Sequence, residues 1–442
     1  MLSIYRNMFK IPDLRAKVLF TLAMFGVYRL GATIPVPGID LDAVRLFQTQ
    51  QQAGGIYGLL NLFSGGALEQ FSVFALGIIP YITASIIMQL LTVVIPRLQA
   101  LQEEGESGRK VITQWTRYMT VVLALIQSTG FTFLFHSGRF TNGIDLIPNY
   151  TPGRVILIVL TMTAGTAMVM WLGELITQRG VGNGMSLIIF VSILSQFPFI
   201  FGQIWGQTIA AGLPMRFIVI MAIFLFMIVA IIYVDQGQRR IPIQFAKRVR
   251  GRRVLGGQST YIPLKVNTAG VIPVIFATSV LLIPPLIITA IPSNAAWIQT
   301  VFRWIDQNLG GGSFGVAGFG VSWWYIAILF GLIVFFTYFY TAIQFDPEQQ
   351  AEMIQRQGGF IPGVRPGRQT SKHLSFILNR ITLPGSIFLA TISVLPAIAA
   401  VIWNIQISFS GVSILIVVGV ALETMKQIES QLTMRNYEGI LT

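Results

Sequence analysis

The chain alternates between long apolar blocks and short polar ones, and the apolar blocks have a nearly constant length. About 20 apolar residues in helical conformation span the hydrocarbon core of a bilayer. Ten such blocks lie near residues 16–35, 73–95, 116–135, 154–173, 185–205, 215–234, 269–292, 323–343, 381–402 and 411–425, the last of them short. They predict an all-α integral membrane protein with ten transmembrane helices. The first block follows Lys10, Arg15 and Lys17 as a signal sequence would, but it runs into Ile34-Pro35-Val36-Pro37-Gly38 with no small-x-small cleavage site and is read as a mature span.

Three connecting segments carry patterns of their own. Residues 56–72, IYGLLNLFSGGALEQFS, are mostly apolar yet too short to span, are broken by Gly65-Gly66, and precede a full block. A half-helix of this kind persists at membrane depth only where protein or a water-filled cavity surrounds it; a helix lying on the outer leaflet is the alternative. Residues 235–268 alternate around Gly251, with Ile241, Ile243 and Phe245 before it and Tyr261, Leu264 and Val266 after it, which predicts a β-hairpin-like finger. Residues 344–380 open with the helix-capable Asp346-Pro347-Glu348 and then pass through Gly358-Gly359-Phe360-Ile361-Pro362-Gly363-Val364-Arg365-Pro366-Gly367. Glycine and proline at that density force a tight loop that presents Arg365.

Ten blocks split five and five, and an odd number per half makes any internal repeat inverted across the membrane. The second block of each half begins alike: residues 77–84 read GIIPYITA and residues 270–277 read GVIPVIFA, sharing five of eight positions. The match predicts two symmetry-related helices that each start with a Gly-x-Ile-Pro break. An even number of spans also puts both termini on one side. With that side the cytoplasm, cytoplasmic segments hold 24 of the 30 Lys and Arg, and the outside holds Arg45, Arg139, Arg154, Arg216 and Arg303. The bias of basic residues toward cytoplasmic loops therefore places both termini inside. Arg29 alone lies within a span, toward its outer end where it can snorkel, which favours structural anchoring over a proton relay.

Composition narrows the function. Only 11% of the 442 residues are charged, against about 25% in soluble chains. The net charge of +13 is concentrated on the cytoplasmic side, with eight basic residues against Asp235 alone in 235–268. Ordinary solvated loops obey the same charge rule; the length and ordered alternation of this segment favour a docking surface. There is no cysteine, and His136 and His373 are isolated, so disulfides, thiolate chemistry and metal centres find no ligand set. An ion-coupled secondary transporter needs ionisable residues at the midplane, and the spans offer only Arg29. A membrane enzyme needs paired carboxylates, HExxH or a Ser/His pair in the apolar region, and no such set, nor a nucleotide-binding glycine motif, is present. What remains is a passive conduit for a large substrate, driven by external partners.

Five segments carry a family resemblance: ALGIIPYITASIIMQLL (75–91), GELITQRGVGNGMSLIIF (173–190), DQGQRRIPIQFAKR (235–248), GGFIPGVRPG (358–367) and SILIVVGVALETMKQIESQL (413–432). They resemble the bacterial preprotein translocase subunit SecY, of the SecY/Sec61-alpha family, in order and over nearly the whole chain. The resemblance implies two inverted, pseudo-symmetric five-helix halves, residues 1–205 and 206–442, closing like a clamshell around an hourglass pore. It implies a short external plug helix at about 58–71, including Leu60, Asn61, Phe63, Ser64, Gly65 and Gly66. It assigns the pore ring to Ile78, Ile82, Ile189, Ile275 and Ile416, which from the residues alone read as packing positions. It places a lateral gate between the second and seventh spans, with Gly77, Pro80, Gly270 and Pro273 at the helix breaks and Thr83 and Gln127 as candidate polar bridges. Through such a gate a signal sequence or nascent membrane helix would enter the lipid. It further implies SecE and SecG as small partner subunits, and binding of the SecA motor ATPase or a ribosome at Arg239, Arg240, Lys247, Arg248, Arg250, Arg252, Arg253 and Arg365. The setting implied is a bacterial plasma membrane, with no cofactor and no catalysis by the chain itself.

Overall fold

The computed structural model describes residues 11–50, 61, 63–136, 145–148, 150–210, 212, 214–245, 248–250, 253–255, 259–290, 300, 323–403 and 410–441. Its helices are α1 (Pro12–Thr33), α2 (Leu41–Gln50), α3 (Ile79–Val94), α4 (Pro96–Glu103), α5 (Glu106–His136), α6 (Pro152–Arg179), α7 (Gly184–Ala210), α8 (Pro214–Gln236), α9 (Ile272–Ala290), α10 (Trp323–Gln344), α11 (Pro347–Arg356), α12 (Arg368–Trp403) and α13 (Gly411–Leu441). Each of the ten apolar blocks is occupied by a helix: α1, α3, α5 to α10, α12 and α13. Six of them are long and apolar enough to cross a membrane on length and composition. The short last block is the opening of a 31-residue helix, and the block at 381–402 is the far part of a 36-residue one.

Many hydroxyls in these helices are satisfied within the helix itself, as a hydrocarbon environment favours. Thr163, Thr166, Thr337, Thr382 and Ser393 each donate their hydroxyl to the carbonyl four residues back in the same helix. Pro198 in α7 and Pro384 and Pro396 in α12 are accommodated inside helices. Between α3 and α4 the chain turns by 100° at Pro96.

At one end of the bundle a small β-structure projects. Strand β1 (Gln238–Phe245) pairs antiparallel with β4 (Ser259–Lys265), setting Ile241 opposite Ile262 and Ile243 opposite Thr260. At the tip, β2 (Arg248–Arg250) pairs with β3 (Arg253–Leu255). The expected finger is therefore present, with one change of facing. Ile241, Ile243 and Leu264 turn inward, whereas Tyr261 is half exposed and lies under the Arg240 guanidinium, 4.7 Å from its ring centroid. The antiparallel register puts Ile262 and Leu264 on the buried face and Tyr261 on the other, because side chains alternate along a strand.

The second segment is not a separate loop. Strand β5 (Gly359–Phe360) adds to the free edge of β1, giving the order β4-β1-β5. Helix α11, N-capped by Asp346 accepting from the Glu348 and Gln349 amides, packs beside it. Ile241, Ile243, Leu264, Ile354, Ile361, Leu374 and Ile377 form one core, so both segments and the start of α12 make a single body.

The main core unites the spans. A second cluster at the opposite end joins Val36, Val44, Leu68, Phe71, Phe135, Leu146, Ile147 and Ile158. Helix α7 packs on α8 and α13, and α9 packs on α3 and α5.

Candidate functional site

The inverted repeat is geometrically exact in its backbone devices. Gly77 (φ +54°) and Gly270 (φ +66°) both lie in the left-handed region that favours glycine. Two residues later α3 and α9 begin, at Ile79 and Ile272, with Pro80 and Pro273 in their first turns. Proline is suited there because its missing amide hydrogen has no acceptor in a first turn. Aligning the two segments sets Ile82 opposite Ile275, two of the five isoleucines in the candidate ring.

Those five come from four elements into one cluster. Ile78, Ile189, Ile275 and Ile416 are buried, and Ile82 packs against them partly buried. Ile189, Ile275 and Ile416 also close off a cavity of about 380 Å³ that opens at the sheet end of the bundle. Its lining also includes Asn183, Asn267, Gln344, Glu423 and the Lys426–Asp235 ion pair, 2.7 Å between Nζ and Oδ2. The cavity thus carries polar and charged groups together with three of the five isoleucines.

The short apolar segment meets the same cluster. Asn61, Phe63 and Ser64 are helical and residues 65–70 turn back, while Leu60 lies outside the described residues. Phe63 and Ser64 are buried, and Phe63 belongs to the same cluster as the ring. The segment is folded on itself: Asn61 Nδ2 donates to Glu69 Oε2 at 2.8 Å, the Glu69 amide donates to Asn61 Oδ1, and Ser64 Oγ accepts from the Leu68 amide. It lies against the spans so closely that a Cβ at Gly65 would stand 3.0 Å from Ser192 Cα, and one at Gly66 would stand on Gln196 Nε2. This seat is inside the bundle, so the alternative of a helix on the outer leaflet does not hold.

Helix α1 supplies what the sequence reading missed. Tyr28, 1% exposed, donates to the Ser64 carbonyl at 3.1 Å and lies 2.7 Å from Ser192 Oγ. Arg29 donates through Nη1 to the Gly65 carbonyl at 2.7 Å and to Ser195 Oγ at 2.9 Å. Arg29 is an anchor as expected, but it reaches inward to the short segment instead of snorkelling. As the lone charge in a span it was visible in the sequence; its carbonyl partner was not.

Helices α3 and α9 are in contact, the pair expected to form the gate. Thr83 Oγ1 donates to the Ile79 carbonyl of its own helix at 3.0 Å, so it makes no bridge across the pair. Gln127 is partly buried on α5, which also contacts α9. At the sheet, Arg239 and Arg240 are exposed on β1, and Arg248, Arg250 and Arg253 fall in the tip strands; Lys247 and Arg252 lie outside the described residues. Arg365 is exposed on the loop after β5, where its carbonyl accepts from Thr370 Oγ1 and Gly363 and Gly367 adopt positive φ. Arg365 therefore shares one small body with Arg239 and Arg240.

The geometry is matched by known proteins. The SecY family model covers residues 72–425. The protein translocase subunit SecY of Streptomyces scabiei is 51% identical over the full length of both chains. The chain belongs to the SecY family. The SecY of a Mycobacterium bovis strain is 48% identical, again over both whole chains. Among solved structures, that of a protein conducting channel superposes with a TM-score of 0.64 at 18% identity, covering 96% of each chain. A second is a SecY whose plug domain stabilises the closed state of the translocation channel and maintains a membrane seal, with a TM-score of 0.62 over 96% of each chain at 18% identity. A third, Sec61 in a canine ribosome-channel complex from the endoplasmic reticulum, gives 0.61 at 16% identity, with 96% of each chain covered. The fold is thus the SecY fold, a multi-pass membrane channel subunit and not an enzyme.

Proposed function

We propose that the chain is the central protein-conducting subunit of a Sec translocon, passing unfolded preproteins across a bacterial plasma membrane and releasing hydrophobic segments sideways into lipid. The observation that supports the reading is that Ile78, Ile82, Ile189, Ile275 and Ile416 gather in one apolar cluster with Phe63, and that three of them line the cavity; we read them as a constriction with the short segment beyond it. A narrow ring of branched aliphatic side chains disfavours wetting and so resists ion leak. It also makes no directional bond that a passing sequence must match. Asn61, Phe63, Ser64, Gly65 and Gly66, with Leu60, then serve as the plug. Helices α3 and α9 serve as the lateral gate, hinged at Gly77, Pro80, Gly270 and Pro273, with Thr83 and Gln127 near its edges.

The halves 1–205 and 206–442 act as the two shells of the clam, and the sheet end faces the cytoplasm together with both termini. The work comes from outside the chain, through SecA or a translating ribosome docked on Arg239, Arg240, Lys247, Arg248, Arg250, Arg252, Arg253 and Arg365. Guanidinium and ammonium groups clustered in this way suit ribosomal RNA phosphates and an acidic protein face alike. SecE and SecG complete the complex.

The test is a photo-crosslinking residue at Ile275, with exposed Arg45 as control, and a signal-bearing secretory chain stalled in reconstituted vesicles. Crosslinking confined to Ile275 is expected. Transport with contact at neither position would overturn the ring assignment, and failure of the chain to engage at all with SecA and ATP present would overturn the translocase reading.

A further inference from the structure

Two adjacent residues of α1 hold the short external segment at two buried carbonyls. Where the helical turn of that segment ends, the amides that would reach these carbonyls in a continuing helix go elsewhere: Leu68 donates to Ser64 Oγ and Glu69 to Asn61 Oδ1, and the Ser64 carbonyl keeps a long 3.4 Å contact from the Ala67 amide. Tyr28 takes the first and Arg29 the second, a cation at the negative end of a helical turn. Both residues are tied to α7 as well, Tyr28 through Ser192 and Arg29 through Ser195. From these contacts we infer that Tyr28 and Arg29, backed by Ser192 and Ser195, form a releasable latch that sets how readily the plug leaves the pore. The inference rests on the reading of residues 61–70 as the plug.

The hydrogen inventory shows why the latch is reversible. The Tyr28 hydroxyl has one hydrogen and two neighbours. It donates to the Ser64 carbonyl while accepting from Ser192, and when the plug departs it can rotate to donate to Ser192, whose own hydroxyl is already within 2.8 Å of the Ile188 carbonyl. Arg29 Nη1 carries two hydrogens, one on Gly65 and one on Ser195, and it keeps the second after the first is lost. Release therefore leaves the wall side of the latch with partners in place, and the freed plug carbonyls pass to water. A buried polar group without a partner is costly, so a seal lacking these alternatives would either stay shut or stay open. Close packing supplies the fit: Gly65 and Gly66 admit no side chain at their contacts with Ser192 and Gln196.

The test uses the reconstituted complex and reads release of a small ionic tracer from vesicles without substrate. Arg29→Gln removes the charge, and Tyr28→Phe, almost isosteric, removes only the hydroxyl. Resting leak is expected to rise roughly tenfold for Arg29→Gln and several-fold for Tyr28→Phe, the order set by losing a charged and a neutral hydrogen bond. A second pair of substitutions, Ser64→Cys with Gly77→Cys, locks the plug on demand. The Cβ positions lie 3.6 Å apart, within disulfide range, and the chain has no other cysteine. Oxidation should bring the leak of Arg29→Gln down to that of the oxidised double-cysteine channel with Arg29 intact, and reduction should restore the difference between the two. Unchanged leak in both latch variants, in a background where the oxidised channel is blocked to substrate, would overturn the latch and leave the plug standing. Raised leak that oxidation does not close would show damage to the pore wall and would also overturn it. Full transport through the oxidised channel would instead overturn the plug reading itself.

Discussion

At the scale of single residues, the constriction depends on what its side chains lack. Ile82 and Ile275 occupy equivalent positions of the repeat and meet in one cluster. Replacing either by serine puts a hydroxyl into the proposed constriction, and replacing both does so from the two halves. Ile82→Ser or Ile275→Ser alone should raise resting ion conductance in planar bilayers severalfold, and the double variant more than the product, since one polar group can serve as the water partner of the other. Strict multiplicativity would argue that the two side chains do not share a constriction. Arg365 makes the opposite case, a residue whose role lies in its charge. It is exposed and its side chain supports no core, so Arg365→Glu should leave thermal stability within about 0.5 kcal/mol of the parent. ATP-driven import into SecA-supplied vesicles should nonetheless fall at least tenfold; undiminished import would remove Arg365 from the docking surface. The sequence disclosed these residues unequally. An arginine framed by prolines and glycines is conspicuous in any chain. Five isoleucines among many apolar residues are not, and only the family resemblance separated them from packing. Thr83 was misleading because a hydroxyl in an apolar helix has a ready acceptor one turn back, and that local bond wins over a bridge to a neighbour.

At the scale of elements, the two helix breaks look alike and differ in what surrounds them. Gly77 and Gly270 have the same left-handed backbone, which a residue with a Cβ enters at a cost of about 1–2 kcal/mol. A Cβ at Gly270 meets nothing within 4 Å, whereas one at Gly77 stands 3.2 Å from Ser64 Cα. Gly270→Ala should therefore lower the unfolding midpoint of the purified complex modestly without opening the channel. Gly77→Ala should lower it further and raise tracer leak, because relief of the contact pushes on the plug. Equal leak in the two variants would show that Gly77 does not communicate with Ser64. Element existence was largely legible here, since lipid thickness fixes the length of each apolar block and alternation announced the β1–β4 finger. The third strand was not legible. Its ladder joins Gln244 to Phe360 and Phe245 to Gly359 across more than a hundred residues, and a two-residue strand has no period to detect. The inward facing of Ile262 in place of Tyr261 was equally hidden, because register across the finger is decided by pairing and not by the run of one strand.

At the scale of the molecule, the proposed halves meet along a back seam of α7 on α8 and a front seam of α3 and α5 on α9. Each half is braced within itself. Arg117 makes a two-point bond to Glu174, 2.7 Å at both Nε and Nη2, joining α5 to α6, and Lys426 joins α13 to Asp235 at the end of α8. Between the halves, α7 meets α8 through a knot of rings in which Phe224 stands 5.8 Å from Phe197 and 5.3 Å from Phe201, both edge-on, with Trp205 on Phe217 at 4.9 Å nearby. Edge-to-face aromatic pairs contribute about 0.5–1.5 kcal/mol each beyond area burial. Across the front, α3 and α5 touch α9 along apolar surfaces, and Thr83 turns its hydroxyl back into its own helix. The two proposed shells, 1–205 and 206–442, would then open by rotation about the α7–α8 edge. With no native cysteine to remove, spin labels placed in pairs can test this directly. Labels on α3 and α9 should separate when a signal peptide binds, while labels on α7 and α8 keep their distance. Phe224→Ala should blur that difference by freeing the back edge, broadening the α7–α8 distance distribution and lowering the unfolding midpoint. A signal peptide that widened both pairs equally in the unsubstituted chain would mean that the halves part as a whole, and the hinge would have to be sought elsewhere.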